Sequence, residues 1–184
     1  MLFIDTETGG IDPNIHSILS IGLVSWTDGL IDDETEILIN EDQIIATKEA
    51  LSINNIDIES HKKIAINCLD AVKQIENFCI KNFSNEDKIT LAGHNICFDV
   101  GFLKRLYQKA NTEILATFSH RYIDTASILK YLYVSKILPE DLSASDTAFE
   151  YFNIKISKRH SALEDAKATA LLFNELIKLL KAPL

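Results

Sequence analysis

Apolar residues gather at Leu2-Phe3-Ile4 and give way at Asp5 to polar side chains and glycines, the pattern of a short buried strand meeting a turn. Runs from Ser17 to Trp26 and from Glu34 to Asn40 read as a second and a third strand, and Asp28-Gly29 between them suits a tight hairpin turn. Residues 46 to 65 follow neither period and read as irregular. Leu69, Val72, Ile75, Cys79 and Phe83 then recur at helical spacing with Lys and Glu between them. Ile89 to Ala92 reads as a fourth strand. Asn95 is placed to cap a helix striped by Phe98, Phe102, Leu103 and Leu106, and Tyr122-Ile123 before Asp124-Thr125 predicts a fifth short strand running into a capped helix. Two further helices are predicted. One covers roughly Leu142 to Phe152; the other, from about Ser161 to Lys181, carries Leu163, Ala166, Ala170, Phe173, Ile177 and Leu180 on one side.

Three consecutive strands followed by strands alternating with helices imply a mixed five-stranded sheet, antiparallel at one end, with helices packed on it. The fold class is α/β or α+β, and residues 1–184 read as one domain, without internal repeat, low-complexity run or linker. A chain of 184 residues can bury roughly 70% of its unfolded surface without help from disulfides or a structural metal. Cys68, Cys79 and Cys97 are odd in number and lack CxxC spacing, which points away from a disulfide framework or a thiolate zinc site and toward a reducing cytoplasm. No basic leader, and no apolar stretch near the roughly 18 residues a membrane helix needs, is present.

Charge narrows the partners. Acids outnumber bases 27 to 18, a net −9, which argues against a tight, extended surface for duplex nucleic acid. Asp28, Asp32, Asp33, Glu34, Glu36, Glu41 and Asp42 fall in a stretch without Lys or Arg and read as a solvated hairpin edge. Bases gather at Lys62-Lys63, at Lys104-Arg105 with Lys109, and at Lys155 with Lys158-Arg159, just before His160.

Three places carry chemistry. Asp5 and Glu7 lie two apart on an apolar strand, so both side chains leave one face roughly 6–7 Å apart along the chain. Two carboxylates so placed repel, and hard oxygen ligands at that spacing suit Mg²⁺ or Mn²⁺, whose charge offsets the repulsion. Taken alone, the same residues also fit a solvated turn. In Gly93-His94-Asn95-Ile96-Cys97-Phe98-Asp99, a strand ends and a helix begins, with Asp99 in the first turn, where an acid also complements the helix dipole. His94 could be a ligand but reads better as a packed, hydrogen-bonded histidine, and Asp124 reads as a cap. In His160-Ser161-Ala162-Leu163-Glu164-Asp165 the histidine precedes the last helix and the aspartate lies within its first turns. Residues five apart on a helix do not adjoin, so His160 must sit on the preceding loop to share a site with Asp165. A neutral imidazole there can accept a proton from an activated water.

Together and in this order, Asp5-x-Glu7, His94-Asn95-x-x-Phe98-Asp99 and His160-x-x-x-x-Asp165 resemble the three exonuclease motifs of the DEDDh (DnaQ-like) family, which includes proofreading exonuclease subunits, ribonuclease T and oligoribonuclease. The flanks Asp5-Thr-Glu-Thr-Gly, Phe98-Asp-Val-Gly-Phe-Leu and His160-Ser-Ala-Leu-Glu-Asp-Ala match too, so the resemblance covers essentially the whole chain. It implies a ribonuclease H-like fold and metal-dependent hydrolysis from the 3′ end of single-stranded DNA or RNA, releasing nucleoside 5′-monophosphates. It further implies two divalent cations, Mg²⁺ or Mn²⁺. Asp5 would bridge them, Glu7 and Asp165 would complete the site of the ion holding the attacking water, Asp99 would serve the second, and His160 would be the general base. Two such ions about 3.5–4 Å apart can stabilise both oxygens of an in-line displacement.

The resemblance also suggests that the strand end around Ile4, Thr6, Thr8 and Gly9 contacts the terminal nucleotide. In many relatives a glutamate lies five residues before a histidine in the loop covering that nucleotide. Glu49 through Asn54 occupies the similar stretch, with asparagine in place of histidine, which makes Glu49 and Asn54 further substrate contacts. A non-catalytic nucleic-acid-binding or polymerase-docking module on the same fold is the alternative; it would be free to lose the carboxylates, all of which are present. The choice between DNA and RNA, and between a stand-alone chain, a homodimer and a polymerase or repair partner, stays open.

Overall fold

The first two strands, β1 (Leu2–Thr8) and β2 (Ile18–Thr27), pair antiparallel with Asp5 opposite Gly22, and β2 turns back into β3 (Leu30–Asn40). The turn is the two-residue Asp28-Gly29, at φ +50° and +94°, the backbone that a right-twisted hairpin requires. In chain order there follow α1 (Lys48–Asn54), α2 (Ile58–His61), β4 (Ile66–Asn67), α3 (Cys68–Phe83), β5 (Leu91–Gly93), α4 (Cys97–Lys109), β6 (Ile123–Asp124), α5 (Thr125–Val134), α6 (Ser145–Tyr151) and α7 (Ala162–Lys181). The computed structural model describes residues 1–157 and 160–181. Its sheet runs β4-β3-β2-β1-β5-β6, antiparallel among β1, β2 and β3 and parallel where β1 meets β5, β5 meets β6 and β3 meets β4.

Five strands match the predicted ones. The sixth, β4, is two residues long and pairs only Ile39 with Ile66 and Asn40 with Asn67, too short to leave a period in the sequence. The stretch read as irregular contains α1 and α2, each started by a side-chain cap: Thr47 accepts from the Ala50 N–H and Asp57 from the Ser60 N–H. Helices of only one or two turns carry too few apolar repeats to show as amphipathic.

Alternation along β1 divides the core. Leu2 and Ile4 face α3 and α4, in a cluster with Val72, Ile75, Phe102 and Leu106. Phe3 faces the other way, onto α7, where it packs with Trp26, Phe173, Ala166 and Ala170. A third cluster joins α5, α6 and α7 through Leu129, Leu132, Phe149, Ala168 and Leu172. Burying a large apolar side chain is worth roughly 1.5–3 kcal/mol, so each cluster holds its helices firmly.

The acidic stretch departs most from a solvated edge at Glu41. Asp32, Glu34 and Glu36 are exposed, but Glu41 is buried, accepting from the Ser17 hydroxyl at 3.1 Å and the Ile18 N–H at 3.3 Å, with the Lys109 ammonium at 3.5 Å. Among the described residues, no helix is long and apolar enough to cross a membrane.

Candidate active site

β1 outlasts its neighbour. Only Leu2 and Phe3 pair with β5, so the strand continues alone on that side past Ile4 and delivers Asp5 and Glu7 to the sheet end. Both project toward α7, as Phe3 does.

What brings α7 there is Gly22, across the ladder from Asp5. A Cβ on Gly22 would lie 2.2 Å from the Ala162 carbonyl oxygen and 2.5 Å from the Leu163 nitrogen, so the first turn of α7 rests directly on bare strand backbone. Along its length α7 is held by the aromatic cluster, by Asn174, which accepts from Trp26 Nε1 at 2.9 Å and donates to the Gly29 carbonyl at 2.8 Å, and by Lys167, which bridges Glu34 and Glu164. Asp165 comes one turn after Ala162 and is thereby set against β1.

Glu7, His160 and Asp165 each offer a ligand atom, and all three atoms lie within 4.8 Å of one another. They line a cavity of about 210 Å³ together with Asp5, His94, Ser145, Phe149 and Thr169. His160 stands on the loop before α7, as its spacing from Asp165 demands. Its backbone is left-handed, φ +58°, and its N–H donates to Asp165 Oδ2 at 3.1 Å. A non-glycine residue held at positive φ is uncommon, and here the bond to Asp165 fixes it.

Asp99 is placed differently. It is buried on the α4 side of β1, where its Oδ1 accepts the Thr6 hydroxyl at 2.7 Å, and it is not among the residues lining the cavity. Burial pushes its carboxyl up to about 7, against the pull of the Thr6 hydroxyl and of the Asp99 and Thr6 backbone N–H groups.

Asn95 does not cap α4. The helix begins at Cys97 after Ile96, without a side-chain cap, and Asn95 instead takes a left-handed turn at φ +59°, its N–H donating to Asp124 Oδ1 at 2.7 Å. Asparagine tolerates that backbone, which is why the residue type suits both roles. Asp124 caps α5 as predicted, accepting from the Ala126 N–H. His94 is hydrogen-bonded as predicted, Nδ1 to Thr125 Oγ1 at 3.0 Å and Nε2 to the Ser143 carbonyl at 2.9 Å, and so ties the end of β5 to the approach to α6.

The five expected substrate contacts surround the end of β1 without lining the cavity. The Thr6 hydroxyl serves Asp99, and that of Thr8 donates to the Gly10 carbonyl at 2.7 Å. Asn54 is buried and donates to the Thr8 carbonyl at 3.2 Å. Gly9 accepts from the Thr47 N–H, and a Cβ there would meet the Ile45 carbonyl at 2.3 Å. Glu49 is exposed in the first turn of α1. The sequence reading missed Gly22, Ser145, Phe149 and Thr169. A lone glycine inside an apolar strand is a signal for close backbone approach, and Thr169 lies four residues after Asp165 on one helix face. Ser145 and Phe149 reach the cavity from a short, distant helix and leave no such trace.

Known proteins share the sequence pattern and the fold of this chain. The chain is 25% identical over 187 residues to ribonuclease T of Blochmanniella pennsylvanica, covering 95% of this chain and 82% of that protein. It is 27% identical over 178 residues to the PolC-type DNA polymerase III of Thermotoga petrophila, covering 97% of this chain but only 12% of the polymerase. Among solved structures, E. coli exonuclease I in complex with a dT13 oligonucleotide superposes with a TM-score of 0.81 at 16% identity, over 95% of this chain and 40% of that one. The nuclease domain of 3′hExo, a DEDDh family member bound to rAMP, gives 0.77 at 17% identity, over 96% and 90%. These structural likenesses show a shared ribonuclease H-like fold. A family model described as exonuclease, of the ribonuclease T type, matches residues 2–173, and this chain belongs to that family.

Proposed function

We propose that the chain is a metal-dependent 3′–5′ exonuclease acting on single-stranded nucleic-acid ends. The observation that carries the reading is the meeting of Glu7, His160 and Asp165 in a cavity that Asp5 also lines. Side chains more than 150 residues apart in the sequence converge there on one sheet end.

The donor set fits divalent cations. Asp5, Glu7 and Asp165 bring carboxylate oxygens to one cavity, and such hard ligands favour Mg²⁺ or Mn²⁺. Asp99 would hold a second ion from the α4 side of β1. Bound there, two cations would supply the positive charge that offsets the carboxylates and the charge developing on the phosphate. The chain's own part is to hold ligands, orient the terminal phosphate and move a proton. His160, fixed by its backbone bond to Asp165, would take that proton from the attacking water. His94, Ser145 and Phe149 wall the cavity.

The test is cleavage of 5′-labelled single-stranded DNA and RNA oligonucleotides with Mg²⁺, with Mn²⁺ and with chelator, alongside Asp5→Ala. The expected result is a ladder shortening from the 3′ end, dependent on metal and lost in the variant. Metal-independent cleavage, or an active Asp5→Ala protein, would refute the reading. Binding of oligonucleotides without cleavage would favour a binding module.

A further inference from the structure

Along most of its length β3 is an open edge of the sheet. Leu30 through Leu38 pair with β2 on one side, while on the other side the first strand contact comes only at Ile39, with Ile66 of β4. Among the described residues, no strand other than β2 pairs with residues 30–37, and the Glu34 N–H donates to a side chain, Asp33 Oδ1, at 3.1 Å. An unpaired row of backbone N–H and C=O groups is a template for another extended chain. Beside it, between β3 and α3, lies a cavity of about 350 Å³ lined by the nearly buried Ile37 and Phe78 and by Gln74 and Asn77. We propose that this edge is an interaction surface, and that its partner is a basic, extended peptide segment that adds to β3 as a further strand.

Alternation gives the added strand two different faces to meet. Asp33, Thr35 and Ile37 lie on the α3 face, where Lys81 and Asn82 donate to Asp33 at 2.8 and 2.9 Å. Asp32, Glu34 and Glu36 are exposed on the α7 face, where Lys167 meets Glu34 at 2.9 Å. Asp32 and Glu36 stand without an ion pair among the described residues. A strand carrying Lys or Arg on the α7 face and a large apolar side chain over the cavity would meet both faces. The charges also choose among occupants. A second copy of the chain, pairing edge to edge, would bring Asp32, Glu34 and Glu36 against the same three acids, and like charges directly opposed destabilise a ladder. An acidic segment meets the same repulsion, and a neutral one covers Asp32 and Glu36 without compensating their charge. In strand addition the main-chain bonds supply affinity and alternate side chains supply specificity, so alternating basic and apolar residues are the sequence this edge selects.

The inference does not rest on the nuclease reading, and β2 separates this edge from Asp5 on β1. The probe is a blocked, fluorescein-labelled peptide alternating Lys with Val and Ile over about eight residues, an ordinary strand length, mixed with the intact chain. Binding followed by fluorescence anisotropy should weaken as salt rises from about 50 to about 500 mM, and amide exchange should slow across residues 30–37. A peptide of equal charge with proline at its centre should bind at least about tenfold more weakly, because proline removes a ladder donor, and a peptide with Glu in place of Lys should not bind. Asp32→Lys combined with Glu36→Lys should lower affinity for the basic peptide at least about tenfold while the circular dichroism stays that of the wild type. Should that protein fail to fold, Asp32→Asn with Glu36→Gln takes its place, with the same direction expected. Equal binding of the proline peptide would overturn the inference, since charge alone would then explain the attraction. Absence of binding, or unaltered affinity in the double variant, would overturn it too. Sedimentation showing that the chain alone dimerises, with residues 30–37 protected in the dimer, would overturn it in favour of a second copy.

Discussion

Replacing Gly22 with alanine tests how the site is assembled, because it touches none of the residues assigned to chemistry. The added Cβ would sit 2.2 Å from the Ala162 carbonyl oxygen and 2.4 Å from its carbon, where ordinary contact begins about 1 Å further out. Both obstacles are backbone, so no side chain can rotate to relieve them. Either β2 or the first turn of α7 must move by about 1 Å. Overpacking of this kind costs typically about 1–3 kcal/mol, which for a chain of 184 residues lowers the melting temperature by a few to about ten degrees. The kinetic effect should exceed the thermodynamic one. Asp165 lies one turn beyond Ala162, and its Oδ2 holds the His160 backbone, so the shift reaches two of the three converging residues together. A misplacement of about 1 Å is worth on the order of 100-fold in rate. Gly22→Ala should therefore stay folded below its lowered melting point yet turn over oligonucleotide about 100-fold more slowly, measured by initial rates at saturating metal and by thermal melts. Wild-type turnover with an unchanged melting temperature would show that α7 does not depend on this seat.

Other substitutions separate roles within the site. Asp165→Ala should abolish hydrolysis, whereas His160→Ala should retain Mg²⁺ binding and slow the chemical step by about 10²–10⁴-fold; equal rates for the two variants would contradict the division between ligand and base. Thr6→Val removes the hydroxyl bound to Asp99 without changing size, so it should raise the Mg²⁺ concentration needed for activity and leave KM for the oligonucleotide unchanged, with Thr6→Ser restoring the wild-type behaviour; the opposite pattern would make Thr6 a substrate contact. Asp99 gives the metal-free protein a pH dependence. Its native carboxyl is raised to about 7 from an ordinary 3.8, so the folded state keeps a proton that the unfolded state has lost, and this group's contribution to stability falls as pH rises from about 4 to 7. The loss is of the order of 4 kcal/mol, visible as a falling urea midpoint between pH 5 and pH 7.5 in chelator and flattened in Asp99→Asn; parallel slopes in the two proteins would refute it.

Much of this architecture was legible from residue order. The hairpin followed from Asp28-Gly29 between two apolar runs, and the convergence of Glu7 with His160 and Asp165 from the first and third of the motifs at element boundaries. Period and turn chemistry are local signals, and these features have local causes. What stayed hidden was set by neighbours remote in sequence. Asn95 has the composition of a cap, yet Asp124, on the adjoining strand, draws its N–H and turns it left-handed. Glu41 resembles its solvated neighbours and is buried because Ser17, Ile18 and Lys109 surround it. Asp99 fits a helix-dipole pattern, while its burial against Thr6 depends on β1 outrunning β5, a matter of strand lengths across the sheet.

The docking of α7 onto β1 and β2 has a consequence for the order of events in folding. Asp5 and Glu7 belong to β1, Asp165 to α7 and His160 to the loop just before it, so the cavity closes through a loop of more than 150 residues. The antiparallel β1–β2–β3 meander involves near neighbours and can form early, whereas the helix that completes the site cannot dock until the chain through α7 is available. At about 5–20 residues per second of synthesis, a nascent chain would spend many seconds with its first two carboxylates in place and no cleft. On the proposed function, a chain synthesised only as far as α6 would therefore lack the assembled site. The single tryptophan makes the moment observable, since Trp26 packs on Phe173 and bonds Asn174 of α7. On refolding, its fluorescence should change together with the return of hydrolysis and later than the bulk of the sheet signal; activity returning ahead of that change would place assembly of the site before helix docking.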